Sequence, residues 1–183
     1  MKFVWLSLML FVGIAHASVD VVEIGNFYCP HCFAAESAAA KLSDRVINNG
    51  GSFEFVPVLT QAAKKWPVLV YLGLTSKRAE DIARGAFFNA AQVAKLDMGT
   101  LSQTCNALST YSLISREDCL RAGRSMQGRL RYRKVLKLIG FVFKGNAQLN
   151  LPVFVFERDG QIIKVVSGSV SPTALSSLIG EGQ

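Results

Sequence analysis

Two cysteines held two residues apart, in Cys29-Pro30-His31-Cys32, fall between a short apolar run and a long alanine-rich one. This junction constrains the fold more than any other feature of the chain. Val19 to Ile24 is apolar and β-branched, and Gly25-Asn26 breaks it just ahead of Phe27-Tyr28, so a strand is expected to run into a loop. From Phe33 to Ile47 the residues are Ala-rich, with Phe33, Ser37, Ala40 and Val46 set among Glu36, Lys41, Asp44 and Arg45. Asn48-Asn49-Gly50-Gly51 then stops the run. A helix is therefore expected to start at or within the cysteine motif.

Thiol–disulfide exchange requires a thiolate that attacks, an adjacent thiol that resolves the mixed disulfide, and a geometry in which the two can close without strain. A two-residue spacer at a helix N-terminus provides that geometry. Unpaired backbone N–H groups and the positive end of the helix dipole would face the Cys29 sulfur and favour its charged form. His31 adds a further donor, and a positive charge when protonated. Each effect stabilises the reduced thiolate relative to the disulfide, which makes the disulfide the more oxidising partner. A donor of disulfides, rather than a reductant, is the expectation.

The chain opens with Met1-Lys2, an apolar stretch from Phe3 to Ile14, and Ala15-His16-Ala17 before Ser18. A charged start, an apolar stretch of about a dozen residues and a small-x-small site are the parts of a secretory signal, with cleavage expected after Ala17. A spanning helix would need ~20 apolar residues. Half of the chain is hydrophobic, enough for a sizeable core. The net charge of +7 falls to about +6 once Lys2 leaves with the signal. Much of it gathers at Arg116, Arg121, Arg124, Arg129, Arg131, Arg133, Lys134 and Lys137. A solvated helix face is the expected reading, and no nucleic-acid partner, since export removes the chain from most nucleic acid.

All four cysteines, Cys29, Cys32, Cys105 and Cys119, follow the expected cleavage site, and two disulfide pairs are natural in an exported protein. Two other readings of the motif stay open, half of a zinc site and an inert structural bridge. Zinc would need further ligands, yet thirteen residues separate Cys105 from Cys119 and His31 is the single histidine after Ala17. No metal and no cofactor are expected. The same histidine count weighs against Cys–His or Ser–His hydrolysis.

Phe53 to Val58 alternates with aromatic and β-branched residues as a strand does, Pro57 being tolerable near its end. Between Thr60 and Leu138 strand signals nearly vanish and helical spacing takes over, with breaks near Asp97-Met98-Gly99 and from Thr110 to Ser115. Ser115-Arg116-Glu117-Asp118 fits a helix cap opening a basic helix that runs to Ile139-Gly140. Pro152 to Phe156, the turn Arg158-Asp159-Gly160, and Gln161 to Val166 make a hairpin, and Ser171-Pro172 reads as the start of a short final helix. The sum is an α/β sheet interrupted by an all-helical insertion.

The Cys-Pro-His-Cys centre and this order of elements resemble the DsbA family of periplasmic disulfide oxidases, over essentially all of Ser18 to Ile179. The resemblance implies a thioredoxin-like fold with an inserted helical domain: signal 1–17, thioredoxin-like domain 18–59 and 139–183, insertion 60–138. It implies that Cys29 is the exposed nucleophile, Cys32 the buried resolving thiol, and His31, after Pro30, the residue that tunes Cys29. Family members carry a cis-proline beside the active cysteine, a place that Pro152 matches, with the Leu151 backbone offered to a bound substrate strand. They also bury an acid six positions before the nucleophile to help proton transfer at the second cysteine. Glu23 stands at that spacing, where desolvation would raise its pKa, unless the strand position is exposed.

Two features depart from the family: the mature chain is somewhat short, and Glu54 stands where the best-known member has a basic residue. Cys105 and Cys119, absent from many members, are expected to form a structural disulfide between two helices. The implied activity is donation of the Cys29–Cys32 disulfide to unfolded or folding exported proteins with free thiols. The implied setting is the periplasm, as a monomer re-oxidised by a DsbB-type membrane partner. The alternatives are a disulfide isomerase or reductase, and a peptide-binding chaperone using the same groove. Trp66, Phe87 and Phe88 are assigned to core packing in preference to a substrate groove.

Overall fold

The computed structural model describes residues 18–60, 64–144 and 150–168. The expected signal peptide, its cleavage site and the helix start at Ser171-Pro172 lie outside the described residues. Strand β1 (Asp20–Gly25) leads through a short loop into α1 (Pro30–Asn48), and the chain returns in β2 (Phe53–Pro57). Five helices follow: α2 (Lys65–Gly73), α3 (Lys77–Phe88), α4 (Leu101–Tyr111), α5 (Arg116–Arg124) and α6 (Met126–Phe143). The hairpin β3 (Val153–Arg158) and β4 (Gln161–Ser167) completes a four-stranded sheet in the order β2-β1-β3-β4. β1 is parallel to β2 and antiparallel to β3, so the central strand that leads to the cysteines is paired on both edges. No described helix is long and apolar enough to cross a membrane.

Side-chain alternation along β1 divides the core. Val21 joins Phe53, Phe154 and Phe156 beneath Ala38, Ala39, Leu42 and Val46 of α1, whose small and branched residues let helix and sheet approach closely. Ile24 and Val56 join the larger cluster shared with the helical block. Phe27 is the hub of that cluster, with ring centroids 5.6 Å from Phe55, 5.9 Å from Tyr71, 5.1 Å from Phe87 and 5.3 Å from Phe88. Such tilted and edge contacts each add about 0.5–1.5 kcal/mol beyond area burial. The loop just before the cysteines is thus anchored by an aromatic nail driven into the helical block. Phe87 and Phe88 are both core residues, and Trp66 is half-buried.

The expected single basic helix after Ser115 is two helices. Ser115 caps α5 by accepting from Asp118 N–H at 3.1 Å, and Ser125 ends it and caps α6 by accepting from Gly128 N–H at 2.9 Å. Gly128 makes the second start possible: a Cβ there would sit 3.0 Å from the Gly73 backbone of α2. α6 also runs on to Phe143, beyond the expected stop at Ile139-Gly140. The hairpin turn places Asp159 and Gly160 at φ of 52° and 72°, the left-handed pair that a two-residue connection needs.

Candidate active site

Cys29 is the N-cap of α1, with extended backbone, and Pro30 is the first helical residue, where its missing N–H removes nothing that the helix would use. The cap is a sulfur: the Cys32 N–H donates to Cys29 Sγ at 3.3 Å. Cys29 and Cys32 are free thiols, the first half-buried and the second fully buried. The Cys29 thiol is brought down to about 6, first by the hydrogen bond from the Cys32 side chain, against burial, and then by the Cys32 and His31 N–H groups and the His31 charge. Cys32 moves the opposite way, pushed up by that same hydrogen bond and by burial. One thiol is prepared to be a thiolate and its neighbour to stay protonated. His31 and Pro30 lie on the exposed side of the helix start.

The loop before the pair is held by a residue that its sequence marks only as a breaker. Asn26 is buried, donating from Nδ2 to the Val58 carbonyl at 2.7 Å and accepting at Oδ1 from the Tyr28 N–H at 2.7 Å. Gln92, from a π-helical turn at Asn89–Val93 that extends α3, donates to the Phe27 carbonyl at 2.8 Å. Gly25 is required by space, since a Cβ would lie 2.7 Å from the Phe55 ring.

From the other side comes the Leu151–Pro152 bond, which is cis. The Leu151 carbonyl lies 3.8 Å from Cys29 Sγ, within reach of the thiol as donor. The chain entering β3 therefore borders the Cys29 sulfur.

Glu23 is fully buried in β1, opposite Phe55 and Phe154 across the sheet. Burial pushes its carboxyl up to about 7, with Glu36 adding to the rise and Arg84 opposing it. Arg84, on α3, donates to Glu23 Oε2 at 2.8 Å and to Glu36 at 2.9 and 3.0 Å, and its guanidinium lies 4.2 Å from the Phe55 ring centroid. Glu23 Oε1 has no hydrogen-bond partner among the described residues. Sequence reading passed over Arg84, because nothing local distinguishes one arginine on a polar helix from another. Glu54 is exposed and pairs at 3.5 Å with Arg131, which also bonds Glu80 at 2.6 Å. Arg131 is half-buried and so leaves the expected solvated basic face.

Cys105 of α4 and Cys119 of α5 are joined by a disulfide, both fully buried. Among the described residues no cluster of three His, Cys, Asp or Glu side chains is placed to hold a metal ion.

A β-α-β unit and a later hairpin enclosing a helical block define the thioredoxin fold with a helical insertion, and paired cysteines stand at the head of its first helix. Solved structures of the same architecture include a variant of the DsbA of Pseudomonas aeruginosa, 21% identical with a TM-score of 0.70 over 90% of this chain and 85% of that one. The oxidoreductase NmDsbA1 from N. meningitidis is 16% identical with a TM-score of 0.66, over 92% and 86% of the two chains. The oxidoreductase DsbA from Xylella fastidiosa is 16% identical with a TM-score of 0.67, over 90% and 86%. No protein-family model matches the chain. A chloroplastic bifunctional aspartokinase/homoserine dehydrogenase of Arabidopsis thaliana is 21% identical over 145 residues, 74% of this chain. The chain spans 15% of that protein, and none of its activities carries over.

Proposed function

We propose that the protein is a thiol–disulfide oxidoreductase that donates the Cys29–Cys32 disulfide to exported proteins as they fold. The observation that carries this reading is the opposed pair of thiols, Cys29 brought down to about 6 and Cys32 pushed up. A substrate thiolate attacks Cys29 Sγ, the Cys29–Cys32 bond breaks, and Cys32 leaves with the electron pair and takes up a proton. A second substrate thiol then attacks the mixed disulfide. The substrate leaves oxidised and Cys29 leaves as a thiolate stabilised by the helix N-terminus, which pulls the exchange toward donation.

In this reading Leu151 and Pro152 border the substrate strand, His31 and Pro30 shape the motif, and Cys105–Cys119 is structural. The working place is the periplasm after cleavage at Ala17, with thiol-bearing unfolded chains as substrates and a DsbB-type membrane protein as re-oxidant. The test is to incubate the oxidised protein with a reduced two-cysteine peptide and follow both species by mass. Loss of two hydrogens by the peptide, matched by their gain at Cys29 and Cys32, supports the reading; an unchanged peptide with the protein still oxidised ends it.

A further inference from the structure

We infer that Arg84 and Glu36 are positioning residues that set, in opposite senses, the pH at which the buried Glu23 carboxylate exchanges a proton with Cys32. The inference rests on the exchange activity proposed above and adds two residues to it. Three charges from three elements meet under the cysteines: Glu23 on β1, Glu36 on α1 and Arg84 on α3. The Arg84 guanidinium is the hinge of the group. It reaches Glu23 with one nitrogen, grips Glu36 through Nε and Nη2, and is fixed in place by the Phe55 ring.

The three differ in burial, and the difference assigns their roles. The Glu23 side chain is 0% exposed, Arg84 12% and Glu36 26%, so the cation is shared between a carboxylate with no access to water and one with some. Glu23 also keeps one oxygen unpaired, free to carry a proton. The other faces around it are apolar, Phe55 on β2 and Phe154 on β3, and Lys77 of α3 acts on it only at longer range. Cys32 of α1, itself fully buried, feels the Glu23 charge. An arginine cannot carry the proton, but its fixed charge decides whether Glu23 holds one. Glu36 claims part of the same guanidinium and adds a like charge, and so it works against Arg84.

Both directions of exchange use the proton. When the disulfide is donated, Cys32 leaves as a thiolate and the Glu23 carboxyl supplies its proton. When the reduced protein is re-oxidised by glutathione disulfide, Cys29 forms a mixed disulfide and expels one glutathione thiolate. Cys32 then gives its proton to the Glu23 carboxylate and attacks Cys29 Sγ, expelling the second glutathione thiolate. Removing Arg84 leaves Glu23 protonated to higher pH and delays this last step; removing Glu36 frees the guanidinium for Glu23 and advances it.

The experiment compares the full chain with Arg84→Met, Arg84→Lys and Glu36→Gln. It follows two readouts against pH: the Glu23 carboxyl carbon resonance by NMR, assigned by its loss in Glu23→Gln, and the rate of re-oxidation by glutathione disulfide. Both midpoints are expected to rise by roughly 1–3 units in Arg84→Met, to return toward the wild type in Arg84→Lys, and to fall in Glu36→Gln. A merely structural role would not move two variants in opposite directions. Shifts of the same sign, or a shifted carboxyl midpoint with an unmoved rate profile, overturn the inference. Should Arg84→Met fail to fold, Glu36→Gln alone decides, since a midpoint that stays or rises contradicts it. A wild-type protein with no exchange at all would instead refute the proposed function, while the carboxyl titration still reports on Arg84 and Glu36.

Discussion

Cys29–Cys32 and Cys105–Cys119 are the same chemical pair in two settings. Cys119 lies a full turn inside α5, its N–H already bonded to the Ser115 carbonyl, and Cys105 is likewise within α4. Both of these sulfurs are fully buried, and their bond closes a loop between residues 14 apart in sequence. Cys29 instead stands before the first turn of its helix, half-buried, where its sulfur itself accepts the Cys32 N–H of that turn. In the function proposed above, position relative to a helix N-terminus, rather than the presence of two cysteines, separates the exchanging pair from the disulfide-bonded one.

The largest expected effect breaks the comparison at its reactive end. Cys29→Ser should abolish disulfide donation, a loss of several orders of magnitude, because the remaining thiol at Cys32 is buried and held protonated. Donation to a reduced peptide by this variant would have to draw on Cys105–Cys119 and would move the reaction to that pair. Next in size, Cys105→Ala/Cys119→Ala should leave the rate of donation unchanged while lowering unfolding free energy by ~3 kcal/mol in denaturant titrations, the figure for a loop of this length. A parallel fall in donation would make the second pair part of the reaction.

Gly25→Ala should cost about 1–3 kcal/mol by overpacking against Phe55, read from the same titrations. An unchanged midpoint would mean that the ring yields. The smallest effect belongs to His31→Ser, which should raise the Cys29 titration midpoint by less than about a unit, since the His31 charge is the last of the influences on that thiol. Thiolate absorbance against pH measures it, and an unmoved midpoint would assign the effect to the Cys32 side chain and the backbone N–H groups.

The elements around the cysteines were legible because each announces itself locally. Val19 to Ile24, the Ala-rich run after Phe33, and the hairpin around Asp159-Gly160 carry their period or turn chemistry within a few residues. The cap at Ser115 was legible for the same reason. The second cap at Ser125 was not, because the helical pattern resumes at once in Met126 and only the close approach of Gly128 to Gly73 of α2 shows why the chain must bend.

The candidate site divides in the same way. Cys29, Cys32 and His31 are adjacent in sequence, whereas Leu151, Pro152 and Glu23 were reached through the family resemblance. Arg84 meets Glu23 across 61 residues and Gln92 meets the Phe27 carbonyl across 65, distances over which spacing carries no signal. Asn26 looked like a strand breaker and is a buried bracket, because its amide satisfies backbone groups on two sides of the loop.

The lowered Cys29 pKa links the redox poise to pH with a definite sign. In the reduced protein its contribution to stability is fully present above the unfolded thiol value near 9, and it is lost as pH falls through about 6. The buried Glu23 acts in reverse: its contribution is present below 4.5 and lost as pH rises through about 7. The most direct measurement is the equilibrium reduction potential of Cys29–Cys32 against glutathione at pH 7, in the Cys105→Ala/Cys119→Ala background so that one pair titrates. A stabilised Cys29 thiolate requires a value well above about −220 mV, whereas a value near thioredoxin's, about −270 mV, would contradict the account and make the protein a reductant.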